Sequence, residues 1–503
     1  MELECRQETV TRWETVRGLN IEREESGEMI VPDACPDVGE VLLTRPRLFL
    51  QRKEAMEDRS EFSGLIRVGI LYKPEEGEGV ASMEVTLPFS ATAEDKGLTA
   101  DCVLRITPSV LSADVHLLNS RKVLVKVVYR LEGEAMCPRT ETLVSLVEDP
   151  VPWGIRQKTE ETACFLPVSV QEKAFTCQDT LSLPDSLPEP EKVLLTEGRC
   201  LCREARVLGD RLLFKGETVL DLLCLDGDGT PFTARLELPF SQVMDGESEG
   251  DVCRVSLLLT DVSCVSDPAD RRSFTVDVNL TAQGEVCRTA SVPMLSDLYS
   301  TAYDLEVNRE EASVSSLLIR DEAQETVRVV LPGDVETCEN VSVTLGRAGL
   351  RKEGEDLLLE QTIRVSALCG GENGPVGLEK TELVTHRVPN GEGSRCLWTA
   401  ELSGDPVSTV TGEGLEITVP LTFRWLLLEE RTAPVIRQVT VGEKLARGED
   451  APSLIIRAVR EGQTLWDIAK AHASAQEDIM AASGLTEEEL YPGQMLLIPR
   501  SAG

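Results

Sequence analysis

Only three histidines occur in 503 residues, His116, His386 and His472. They are too far apart to form the His-x-x-x-His pair that sets two imidazoles on one helix face for zinc. Nucleophilic chemistry fares little better. Gly246-Glu247-Ser248-Glu249-Gly250 has the letters of a nucleophile elbow, but no strand directly precedes it to aim the serine, so a solvated loop is expected. Asp226-Gly227-Asp228-Gly229 opens like a calcium loop, with Glu237 at position 12. Pro231 stands at position 6, where that loop needs glycine, and a β-hairpin turn is expected instead. No P-loop pattern occurs. Asn279-Leu280-Thr281 and Asn340-Val341-Ser342 carry glycosylation letters without a visible secretory route. These residues predict no enzyme, no cofactor and no metal.

The fifteen cysteines are scattered from Cys5 to Cys396. Only Cys200 and Cys202 are close, and Cys-x-Cys alone is a poor metal signature. Most read as small buried hydrophobes in a reducing cytosol. The opening stretch MELECRQETVTRWETVRG is charged, without the apolar core of about 7–15 residues that export requires. No stretch is long enough to span a bilayer. The formal charge is −36, from 87 acidic and 51 basic residues, dispersed along the chain. That balance excludes the basic footprint of a nucleic-acid binder and reads as solubility.

The elements that must position any site fall into two kinds. The last fifty or so residues form one compact cassette. A β run from Ile456 to Val459 leads into Gly462, two helix patterns, Tyr491-Pro492-Gly493-Gln494 and a closing strand from Met495 to Ile498. Thr464 with Asp467 has the spacing of a capping box. Leu465, Ile468 and Ala469 make one apolar helix face. Ser474 with Glu477 repeats the capping signal, Ile479, Met480 and Leu485 close the same core, and Thr486 with Glu489 predicts a third short turn.

This cassette resembles a LysM domain in Val459, Gly462, Thr464-Leu465-Trp466-Asp467-Ile468-Ala469, Gly484-Leu485 and Pro492-Gly493-Gln494-Met495-Leu496 through Ile498-Pro499. The resemblance implies a βααβ fold and, for most of that family, binding of N-acetylglucosamine polymers such as peptidoglycan. It also implies candidate partner-binding residues: Gly462, Gln463, Thr464, Leu465, Trp466, Ser483, Gly484 and Leu485. Two of these depart from the family, since Gln463 replaces the usual Asp and Ser483 the usual Asn. Trp466 is either a half-buried core aromatic or an exposed recognition residue.

The preceding residues contain an internal repeat. The run from Val31-Pro32-Asp33 to Val41-Leu42-Leu43-Thr44 returns 152 residues later as Leu183-Pro184-Asp185 to Val193-Leu194-Leu195-Thr196, and a weaker copy begins at Leu331-Pro332-Gly333-Asp334. Phe62-Ser63-Gly64 matches Phe214-Lys215-Gly216, and Leu87-Pro88-Phe89 matches Leu238-Pro239-Phe240. Each copy ends in strict period-two alternation: Val123, Val125, Val127 and Tyr129; Phe274, Val276, Val278 and Leu280; Ile417, Val419, Leu421, Phe423 and Trp425. Copies of about 150 residues are domain-sized, so a tandem array of mainly-β, sandwich-like modules is expected. The expected boundaries are 1–150, 151–300 and a divergent 301–440, then a linker at 441–454 and the cassette at 455–500.

The repeats resemble the SPOCS domain of spore-forming Firmicutes. The carrying residues are Val31-Pro32-Asp33, Gly64 with Ile70-Leu71-Tyr72, Pro88-Phe89 and Asn119-Ser120-Arg121-Lys122. Copy two has Cys224 for Tyr72 and Asp270-Arg271-Arg272 for the Asn-Ser-Arg run, while copy three lacks the glycine, with Gln361 near that place, and its Pro389 lacks the following Phe. SPOCS modules followed by LysM resemble the clostridial family that interacts with stage IV sporulation protein A. That resemblance implies a non-enzymatic spore-coat morphogenetic scaffold of the mother-cell cytosol, docked through LysM on the coat-nucleating ATPase at the forespore surface. Self-association through the SPOCS modules is compatible with it. The alternative is a glycan-binding protein of the spore cortex or cell wall.

Overall fold

A computed structural model describes residues 3–245, 250–389, 393–445 and 453–499. The chain is 77% strand and 4% helix, so its class is mainly β. One strand cycle runs three times. The first comprises β1 (Cys5–Ile30), β2 (Val38–Met56), β3 (Arg59–Pro74), β4 (Ala81–Glu94), β5 (Val103–Asn119) and β6 (Lys122–Val147). The second has β7 (Ile155–Ser182), β8 (Lys192–Leu208), β9 (Arg211–Leu225), β10 (Pro231–Asp245), β11 (Val252–Asp267) and β12 (Asp270–Ser300). The third has β13 (Tyr303–Pro332), β14 (Thr337–Glu353), β15 (Asp356–Gly371), β16 (Gly374–Val388), a split pair β17 (Ser394–Leu402) and β18 (Val407–Thr411), and β19 (Gly414–Lys444). Val441–Lys444 of the expected linker thus continue β19, because Leu305 and Tyr303 of β13 pair with them. Residues 446–452 lie outside the described residues.

Each module stacks two antiparallel sheets: β1-β6-β5 on β2-β3-β4, β11-β12-β7 on β10-β9-β8, and β13-β19-β17 on β14-β15-β16. The alternating runs supply the buried face. Val123, Val125, Val127 and Tyr129 are fully buried, as are Phe274, Val276 and Val278, and Ile417, Val419, Leu421 and Phe423. The Arg that ends the Asn-Ser-Arg run, and its counterpart Arg272 in copy two, have a local structural task. The Arg121 guanidinium donates to the Val31 and Cys35 carbonyls at 2.8 and 2.9 Å and pairs with Asp37 at 3.0 Å, closing the Pro-Asp loop. Arg272 holds the second loop through the Pro184 and Leu187 carbonyls.

The repeated glycine answers to a β-bulge. Register shifts at Leu50/Arg52 and Cys202/Glu204 push one strand toward Gly64 and Gly216. A Cβ there would run into the carbonyl oxygen of Phe49 or Leu201. Copy three dispenses with glycine because its bulge is wider, from Leu345 to Ala348. Gln361 fills the space and donates through Nε2 to the Gly346 carbonyl at 3.0 Å. Gly64→Ala is therefore expected to lower stability by about 1–3 kcal/mol in urea denaturation, whereas Gln361→Gly costs copy three a hydrogen bond without a clash. Equal effects at the two sites would contradict this account.

The three modules surround a common axis on which equivalent residues meet. Leu71, Leu223 and Leu368 share one buried cluster with Leu43 and Leu195. Arg45, 3% exposed, reaches Glu197 at 3.2 Å; the two are 152 residues apart, the spacing of the repeat. Ser342, in the corresponding place of copy three, donates to Glu197 at 3.0 Å. A second polar node links Arg–Glu pairs of all three modules. Arg105 meets Glu134 at 3.1 Å and Glu285 at 2.8 Å, Arg254 Nε donates to Glu285 at 2.8 Å, and Arg395 meets both Glu430 and Glu134 at 3.6 Å. At the other end, Val144 and Val147, Leu295 and Leu298, and Ile436 and Val439 form another shared cluster.

Candidate functional site

The C-terminal cassette folds as β20 (Leu454–Ala458), α1 (Leu465–Ala471), α2 (Gln476–Ser483) and β21 (Met495–Pro499), with β20 antiparallel to β21. The capping box forms. Thr464 Oγ1 accepts from the Asp467 amide, and Asp467 accepts from the Thr464 amide at 3.0 Å. The second capping signal is not realised. Ala475 is the N-cap of α2, and Ser474 Oγ donates to the Pro499 carbonyl at 2.6 Å, a partner that exists only once β21 has closed. Thr486 to Glu488 form a bend and not a helical turn. Gly484 ends α2 at φ 68°, the left-handed conformation that glycine adopts without strain.

The candidate partner-binding residues divide by what they touch. Leu465 is a core residue, 2% exposed, beside Ile468, Ile479, Leu496 and Ile498, with Leu485 packed on the same cluster. Thr464 is committed to the helix cap. Gln463 Oε1 accepts from the Arg460 amide at 3.2 Å. Ser483 Oγ accepts from the Leu497 amide at 2.8 Å and donates to its carbonyl at 3.3 Å, tying α2 to β21. Gly462 and Gly484 are exposed.

Trp466 faces the body of the molecule. Its indole nitrogen donates to Asp297 of β12 at 2.8 Å, and its ring meets Tyr299 edge-on at 4.9 Å. Lys470 Nζ contacts both Asp297 oxygens at 2.6 Å, and Arg309 of β13 reaches the same carboxylate at 2.7 Å. The Tyr299 hydroxyl donates to the Ser474 carbonyl at 2.9 Å, and burial pushes its pKa up to about 12. Sequence reasoning missed Asp297 and Tyr299. A register shift between Leu295 and Asp297 breaks the strand's alternation there. It turns Leu295 and Leu298 into the inter-module cluster while Asp297 and Tyr299 face the cassette.

The residues weighed for catalysis stay apart. His116 is exposed on β5. His386 pairs with Glu325 at 2.7 Å and lies over Phe423 and Trp425. His472 caps α1 and meets Arg457 at 2.8 Å. Asp226 Oδ1 accepts from the Asp228 and Thr230 amides, so its carboxylate closes the β9–β10 hairpin turn. Residues 246–249 of the elbow-like run lie outside the described residues. Cys102 and Cys137 form a disulfide, which corrects the reading of the cysteines as reduced hydrophobes at that pair: the loop before β5 brings the two Cα atoms to 4.2 Å. Among the described residues, no helix is long and apolar enough to cross a membrane, and no cluster of His, Cys, Asp and Glu is arranged to hold a metal.

Residues 37–118 match the family model described as SipL, SPOCS domain, and residues 458–499 match the LysM domain. The first match spans β2 to nearly the end of β5; the second covers the helical cassette. No curated protein and no solved structure matches the chain significantly.

Proposed function

We propose that this chain, a sporulation protein by its SipL-type SPOCS domain with a LysM domain of the peptidoglycan-binding type, is a non-enzymatic spore-coat scaffold. In this reading its LysM domain docks on the coat-nucleating ATPase, stage IV sporulation protein A, and helps attach coat at the forespore surface from the mother-cell cytosol. The observation that carries the reading is the state of the LysM loops. Gln463 and Ser483 stand where the family places sugar-reading Asp and Asn, and both are committed to internal hydrogen bonds. Trp466 is likewise committed to Asp297. The outward surface left for a partner runs through Gly462 and Gly484 and the exposed side chains of Tyr491, Met495 and Ile456, an apolar complement suited to protein. Module two carries the LysM domain through Asp297 and Tyr299.

The test compares the full chain with a version lacking residues 453–503 in pull-downs with the purified ATPase. Capture by the full chain and loss of at least about tenfold in affinity on deletion, some 1.4 kcal/mol, is the expected outcome. Undiminished capture by the truncated chain would place the docking site elsewhere and defeat this reading.

A further inference from the structure

One cross-strand position recurs in all three modules. Val41 faces Tyr72, Val193 faces Cys224, and Cys338 faces Cys369. Only the third carries sulfur on both strands. Directly opposed antiparallel residues have Cα atoms about 4.5–5.5 Å apart, within the range of a disulfide. Both thiols are free in this structure, and Cys369 is fully buried.

Cys338 is half-buried on a cavity of about 470 Å³ between modules two and three. The cavity exists because β17 and β18 are interrupted where β5 and β11 run through. The interruption sends Asp405 across to Arg199 and Arg235 of module two, and the seam beside β14 stays open. Cys338 lines this cavity, whereas Cys369 is absent from its lining and fully buried. The interaction between the two facing thiols, helped by the Ser408 hydroxyl and the Asn340 amide, lowers the Cys338 pKa below the usual thiol range against burial and Glu339, and raises that of Cys369. Burial pushes Cys202, Cys264 and Cys396 up to about 11, and Cys200 and Cys224 up to about 12.

We propose that Cys338 is a peroxide-reactive thiol and that Cys369, facing it across β14 and β15, resolves the product to a disulfide. In the first step the Cys338 thiolate attacks one oxygen of hydrogen peroxide. An S–O bond forms, the O–O bond breaks and hydroxide leaves; sulfur loses two electrons and peroxide gains them. In the second step the Cys369 sulfur attacks the sulfenic sulfur. The S–S bond forms, the S–O bond breaks, and the departing hydroxide leaves as water with the Cys369 proton. The product cross-links two strands at the wall of the inter-module cavity.

The experiment treats the native full-length chain with one equivalent of hydrogen peroxide, then maps peptides without reduction. The first new linkage is expected between Cys338 and Cys369. In Cys369→Ser, Cys338 is expected to accumulate as a sulfenic acid trapped by dimedone. Iodoacetamide at pH 7 is expected to label Cys338 at least about fivefold faster than Cys396 or Cys264. Oxidation of another cysteine first, or Cys338 labelling no faster than those controls, would overturn the proposal without any variant having to fold.

Discussion

Glu285→Ala is expected to destabilise the three-module body by about 3–5 kcal/mol, because it strands the Arg254 guanidinium in a buried site. Glu285 is 1% exposed and receives Arg254 from its own module and Arg105 from module one. Truncating the carboxylate leaves Arg254 with its desolvation cost and without its partner, and leaves Arg105 with Glu134 alone. The effect is expected to spread across modules, since Arg105 also holds Glu134, which holds Arg395 of module three. The same site predicts acid sensitivity. Burial by itself would raise the Glu285 pKa, but Arg254 and Arg105 outweigh it and hold the carboxyl below its ordinary value. A depressed folded-state pKa gives stability that is present above the unfolded value and is lost as pH falls through the lowered one. Urea midpoints for wild type and Glu285→Ala measure both. A shift below about 1 kcal/mol would mean that the node is solvated and that the modules do not depend on it.

The second large effect is expected at the joint between LysM and module two. Asp297→Ala removes the acceptor shared by Trp466, Lys470 and Arg309. Hydrogen bonds to a charged group contribute about 1.5–3 kcal/mol each. Lys470 and Arg309 are partly exposed and so are screened. A loss of about 2–4 kcal/mol in docking follows, leaving Tyr299 and the exposed Arg156–Glu477 pair to hold the joint. Oxidative footprinting of Trp466 reads it directly: labelling rises several-fold in the variant while the three β modules keep their wild-type urea midpoint. The joint also titrates. Burial opposes ionisation of Asp297, but Lys470 and Trp466 prevail and lower its pKa. Docking is therefore complete above the ordinary carboxylate range and weakens as pH falls through the lowered value. Unchanged Trp466 protection in the variant would show that Asp297 does not carry the contact.

Much of this architecture was legible in local patterning. The alternating runs ending at Tyr129, Leu280 and Trp425 announced the buried sheet faces, because period-two burial is a property of the strand itself. Thr464 and Asp467 announced the first LysM helix for the same reason: a capping box closes within four residues. What stayed illegible depends on partners distant in sequence. Ser474 has the letters of a cap, yet the Pro499 carbonyl outcompetes the helix amides once β21 closes. Gln361 looked like the loss of a required glycine, and only the wider bulge at Gly346 and Arg347 shows why none is needed. Arg105, Arg254 and Arg395 are ordinary strand charges until three modules bring them together. The Cys102–Cys137 bond and the Asp297 joint likewise leave no mark on spacing.

The central claim is that a LysM surface here serves a protein and not a sugar. It is tested most directly by measuring binding of the full chain, side by side, to purified stage IV sporulation protein A and to insoluble chitin or peptidoglycan. The account predicts retention by the ATPase and none by the polysaccharides. Retention by polysaccharide alone would contradict it and return the Gly462 and Gly484 loops to glycan recognition.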